Sequence, residues 1–118
     1  MQYYVMRSTK NVVKVNGSPR MEYYSDPPLL VLASLANGPK HGHAMIKDIA
    51  NLCGTLLGPG TLYGAIARLE QHGWVEALPQ EERRRPYRIT AEGRRALQSK
   101  LTTLRRFANA GLGRLEAL

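Results

Sequence analysis

Arg83, Arg84 and Arg85 stand in a row inside a polar segment, Pro79 to Pro86, that has no apolar side chain except its prolines. Guanidinium groups donate hydrogen bonds and never accept them, so a run of three suits a polyanion such as a phosphate backbone. Upstream, Thr61, Tyr63, Gly64, Ala67, Arg68 and Gln71 fall on one side of an apolar stripe formed by Leu62, Ile66 and Leu69. Arg68 and Gln71 have the donors and acceptors to reach base edges or phosphates, and Gly64 and Ala67 are small enough for a close approach. Thr61 and Tyr63 lie where a helix N-terminus, opened by Pro59-Gly60, would meet a phosphate. Tyr63 can equally pack its ring on a neighbouring helix and present only its hydroxyl, and Arg68 can pair with an acid on its own helix.

Other constellations carry less. His41-x-His43 with Cys53 invites a metal site, but two histidines two apart at a helix start do not share a face. A structural or phosphate role is the better reading, and no metal and no cofactor are expected. His72 is placed to interact with a helix C-terminal dipole. Trp74, the one tryptophan, is read as core packing rather than a ligand stack, and no effector is named by the residues. An enzyme is disfavoured: there is no phosphate-binding loop ending in Lys-Ser or Lys-Thr, no nucleophile elbow and no paired carboxylates at glycosidase-like positions.

The elements that must position these groups can be read around them. Asp26 caps a helix opened by Pro27-Pro28, and LLVLASLA is apolar nearly all round, so this helix is buried. Asn37-Gly38-Pro39 stops it. A second helix runs from about His41 to Leu52, burying Met45, Ile46, Ile49 and Ala50 and turning Lys40, His43, Lys47 and Asn51 outward. The third helix begins near Pro59 and ends at His72-Gly73, with Gly73 as its stop. Trp74 to Leu78 reads as a half-buried strand, Tyr87-Arg88-Ile89 as its return, and Thr90 as the cap of a last helix. Along that helix Leu97, Leu101, Leu104, Ala108, Gly111, Leu115 and Leu118 recur at alternating steps of four and three. Such a seam needs a partner helix, most simply its own copy in a symmetric dimer. Phe107 is an additional candidate for a dimer or ligand contact.

The chain has 118 residues, enough for one core. Its 17 Lys and Arg against 9 Asp and Glu give a net charge of +8, which favours nucleic acid over an acidic partner or a bare membrane surface. The charge is concentrated in residues 1–20, which have no acid, and after residue 91. One cysteine excludes an internal disulfide and fits a reducing cytoplasm. No membrane span or secretory leader is readable, so a cytoplasmic location is expected.

Three helices and a two-stranded basic hairpin in this order make an α+β, mostly α, winged helix-turn-helix with a long C-terminal dimerisation helix. Residues 26–90 are read as the DNA-binding domain and 91–118 as the dimerisation helix. Residues 1–25 are a basic extension, either loosely ordered or an arm that lies on DNA or a partner subunit. His41-Gly42, Pro59-Gly60-Thr61-Leu62-Tyr63, Arg68-Leu69-Glu70 with Gly73, and Tyr87-Arg88-Ile89-Thr90 with Gly93 resemble the PadR family of bacterial transcriptional regulators. The resemblance covers about residues 27–118 and implies a homodimeric winged-helix repressor, with the C-terminal helices forming much of the dimer interface. The expected partner is a palindromic operator in double-stranded DNA, and Lys40, His41, His43, Lys47 and Tyr87 are further candidate DNA contacts. Departures from the family pattern are His43 in place of a Tyr, Gly58 in place of a capping Ser or Thr, and Gly64 in place of a frequent Pro. Two alternatives stay open: a protein-interaction module on the same scaffold, and an accessory DNA binder without an effector.

Overall fold

The hydrophobic run after Asp26 forms a helix because the first turn is already prepared for it. The Asp26 carboxylate accepts from the Leu29 amide at 3.2 Å, and Pro27 and Pro28 occupy positions whose amides would have no partner. The resulting helix α1 (Pro27–Leu35) buries Leu29, Leu30, Val31, Leu32 and Leu35, with Val31 and Leu35 wholly inaccessible. It is therefore the axis around which the other helices pack.

The computed structural model describes residues 26–117 together with residues 14–15 and 18–19. The latter form two short antiparallel strands, β1 (Lys14–Val15) and β2 (Ser18–Pro19). The rest of the basic extension read over residues 1–25 lies outside the described residues, as does Leu118. After α1 come β3 (Lys40–His41), α2 (Gly42–Cys53), α3 (Pro59–Gln71), β4 (Val75–Ala77), β5 (Pro86–Ile89) and α4 (Ala91–Glu116).

Each helix boundary has a local cause. His41 caps α2, its Nδ1 accepting from the Ala44 amide at 3.3 Å, and Gly54 ends it in the left-handed region at φ 77°. Gly73, also at φ 77°, follows the cap residue His72 at the end of α3 and turns the chain into β4. Thr90 caps α4 through Oγ1, which accepts from the Gly93 amide at 3.0 Å and donates to the Gly73 carbonyl at 2.7 Å. That bond ties the start of α4 to the end of α3. Gly93 is needed for the same closeness, since a Cβ there would lie 2.2 Å from the Trp74 carbonyl oxygen.

The sheet has the order β3-β5-β4, all antiparallel. The expected hairpin is present as β4 and β5. The third strand, β3, was not expected: Lys40 pairs with Tyr87 and His41 with Pro86. Two residues have no period to read, and their pairing is made by a partner more than forty positions away. The core is continuous through α1, α2, α3, the sheet and the first turns of α4, joining Met45, Ile49, Leu62, Ala65, Ile66, Leu69, Val75, Ile89 and Leu97. Ile46 and Ala50 of α2, expected in the core, are only partly buried. Beyond Leu104, α4 leaves the core and its residues are exposed.

Candidate nucleic-acid interface

Helix α3 is divided cleanly by burial. Leu62, Ala65, Ile66 and Leu69 are inaccessible or nearly so, whereas Pro59, Gly60, Thr61, Gly64, Ala67, Arg68 and Gln71 are exposed. Gly64 costs a helix interior about 1 kcal/mol relative to Ala, and nothing lies within 4 Å of where its Cβ would be. Packing within the chain therefore does not require it. The alternative pairing of Arg68 with an acid of its own helix is not made: among the described residues Arg68 has no ion-pair partner.

Tyr63 packs on the neighbouring helix while keeping one side exposed. Its ring lies over the first residue of α2, where a Cβ on Gly42 would fall 2.1 Å from the Tyr63 Oη, and its side is 48% exposed. Gly42 thus makes room for a tyrosine that joins the two helices of the helix-turn-helix. Tyr87 of β5 is half-buried beside it. Burial, reinforced by the nearby Glu70 carboxylate and Tyr63, raises the Tyr87 phenol above its ordinary value, with Arg85 acting in the opposite sense. It stays a neutral hydroxyl.

The wing turns tightly. Glu81 and Arg84 exchange backbone hydrogen bonds of 2.7 and 2.8 Å, leaving Glu82 and Arg83 at the tip, with Glu82 at φ 54°. The three arginines therefore diverge in role. Arg83 has no hydrogen-bond or ion-pair partner among the described residues. The Arg84 Nη1 lies 3.1 Å from the His41 Nε2, and the Arg85 Nη1 donates to the Leu78 carbonyl at 2.8 Å. Arg88 pairs across the strands with Glu76, both side chains exposed, an arrangement of small energetic value.

The outward orientation expected of Lys40 is corrected. Lys40 turns inward: its ammonium donates to the Ser34 carbonyl and to the Asn37 Oδ1 at 2.6 Å, and lies 3.9 Å from Asp48. Ser34 also donates to Asp48, at 2.7 Å. The carbonyls at the end of α1 have no helical partner, and a cation there is favoured by the helix dipole. Arg94 serves the same end, donating to the Ala36 carbonyl at 3.0 Å. His43 and Lys47, one turn apart on α2, remain exposed.

A second correction concerns the leucine seam. Leu97 belongs to the chain's own core, 7% exposed, and Leu104 packs partly against that core. The uncovered apolar face is made instead by Leu101, Phe107, Ala108, Leu112 and Leu115. Leu112, 58% exposed, was missed because it stands beside the four-and-three register rather than in it.

His41, His72 and Cys53 have neighbours within the chain. His41 is a cap, the His72 ring lies 4.8 Å from that of Trp74, and the Cys53 thiol lies against the Ile49 carbonyl and the Thr55 hydroxyl. Among the described residues, no three such side chains converge. Trp74 is packed against the core and lines an open hollow with Leu29, Leu32, Ala96 and Lys100. No helix among the described residues is long and apolar enough to cross a membrane.

This arrangement of helices and hairpin has known relatives. The model of the transcriptional regulator PadR-like family matches residues 31–99. A PadR family transcriptional regulator from Eggerthella lenta is 31% identical, with a TM-score of 0.65 over 75% of this chain and 79% of that one. A transcriptional regulator from Clostridium thermocellum is 30% identical, with a TM-score of 0.64 over 71% of this chain and 84% of that one. A curated relative, an uncharacterized 37.1 kDa protein in transposon TN4556 of Streptomyces fradiae, is 42% identical over 84 residues. Those residues are 71% of this chain but 24% of that protein, so the chain spans about a quarter of its length. The chain is a winged-helix protein of the PadR-like family of transcriptional regulators.

Proposed function

We propose that the chain regulates transcription as a homodimeric repressor that binds a palindromic operator. Helix α3 enters the major groove with Thr61, Gly64, Ala67, Arg68 and Gln71 toward the bases, and Tyr63 stands at its edge. The wing follows the phosphate backbone, Arg83 at its tip. A second copy packs on the uncovered face of α4 and places its own α3 one helical turn away, about 34 Å.

The observation that carries this reading is the division of α3. One side is fully buried, and the other is exposed and holds two small residues that intrachain packing does not demand. A helix armed with only Arg68 and Gln71 for base edges has limited discrimination, about 1–3 kcal/mol for each good bidentate contact. Two copies double it, which is why the dimer belongs to the proposal.

Selection of bound sequences from a random duplex pool tests it. The expected outcome is a pair of inverted half-sites with centres about one helical turn apart. Recovery of sequences with no shared motif would remove sequence-specific regulation as the function.

A further inference from the structure

His41 is engaged at both ring nitrogens, and the two engagements conflict. The Nδ1 accepts from the Ala44 amide, the bond that caps α2. A neutral imidazole has one nitrogen lone pair available to accept, so its other nitrogen, Nε2, must carry the proton. Yet 3.1 Å from Nε2 stands the Arg84 Nη1, which can only donate. While the cap stands, this close contact joins two donors and needs an acceptor between them. Among the described residues neither side chain has a carboxylate partner.

The place of the pair is informative. His41 lies in β3 opposite Pro86 of β5, two residues beyond Arg84. On its other side Gly42 receives the Tyr63 ring. His41 thus spans the interval between the recognition helix and the wing, on the side where the proposed duplex would run.

We propose that the His41 Nε2–H and the Arg84 guanidinium form a two-donor clamp for a single backbone phosphate, with His41 neutral and its Nδ1 held by the cap of α2. This deepens the DNA-binding reading and rests on it. It assigns Arg84 a fixed phosphate and separates it from Arg83, which is left to follow the backbone from the wing tip. Because the imidazole is neutral, it adds a hydrogen bond and orientation without releasing a counterion.

Two measurements on the full chain test the clamp. Long-range proton–nitrogen correlation spectra, with His41 assigned by its loss in H41N, should show the Nε2–H tautomer; the Nδ1–H tautomer overturns the proposal without any reference to DNA. Binding of a fluorescent random-sequence duplex is then measured across salt concentrations for the wild type, His41→Asn, Arg84→Ala and the double variant. Asparagine caps helices well, so H41N should keep α2 and its melting temperature. Each single variant is expected to weaken binding about fivefold to tenfold, and the double variant by less than the product of the two single effects, since both serve one phosphate. Arg84→Ala should reduce the salt slope by about 0.9, whereas His41→Asn should leave it unchanged. H41N binding as tightly as wild type would make His41 only a cap and overturn the clamp while the DNA reading stands. A reduced slope for H41N would mean a charged ring, which cannot accept the cap bond, and would overturn it as well. If the wild type itself shows no salt-dependent binding, both the reading and the clamp fall.

Discussion

Helix α1 and the outer half of α4 are both rich in leucine, and they are treated in opposite ways. Every leucine of α1 is buried, and its ends are closed by Asp26 at one side and by Lys40 and Arg94 at the other. In the outer half of α4, Leu112 and Leu115 are 58% and 69% exposed and Phe107 is 75% exposed. A nine-residue helix apolar on all sides can only be the centre of a fold. A 26-residue helix that reaches beyond the core leaves apolar surface uncovered. The first element makes the monomer, and the second is what the proposed dimer needs.

Substitutions that separate the two regions should differ in size accordingly. Leu35→Ala removes a wholly buried side chain from α1 and should lower stability by about 2–5 kcal/mol in urea denaturation. Gly93→Ala strikes the anchored start of α4 and forces a methyl group against the Trp74 carbonyl; a loss of about 1–3 kcal/mol is expected by the same measurement. Leu112→Asp combined with Leu115→Asp should leave the far-ultraviolet circular dichroism unchanged and convert the sedimenting species from dimer to single chain. A dimer that persists would move the interface away from this face. Gly113→Ala meets nothing within 4 Å and lies outside the leucine register, so it should stabilise the end of α4 by about 0.5–1 kcal/mol.

These contrasts also mark what was legible in the amino-acid sequence. The caps Asp26 and Thr90, the stop at Gly73 and the two faces of α3 follow from residues three or four positions apart, and they were readable. Strand β3 was not, because two residues acquire their conformation from β5 rather than from one another. Lys40 was misplaced for the same reason: the carbonyl of Ser34 and the carboxylate of Asp48 that hold it are supplied by two different helices. Leu97 shows a further limit of periodicity. A four-and-three repeat records which face of α4 is apolar, but the same face meets the chain's own core at Leu97 and solvent at Leu115. Gly42 and Tyr63 were each noticed separately, and only their contact shows that the glycine is there to admit the ring.

In the proposed division of labour, the exposed side of α3 reads sequence while the wing supplies general affinity. This division is tested most directly by comparing the affinity of wild type and of the Arg68→Ala, Gln71→Ala double variant for a selected operator and for a random duplex, at one fixed salt concentration. The variant should lose most of the operator preference, about 1–3 kcal/mol for each bidentate contact removed, while its affinity for random duplex falls far less. An operator preference that survives unchanged would contradict this division.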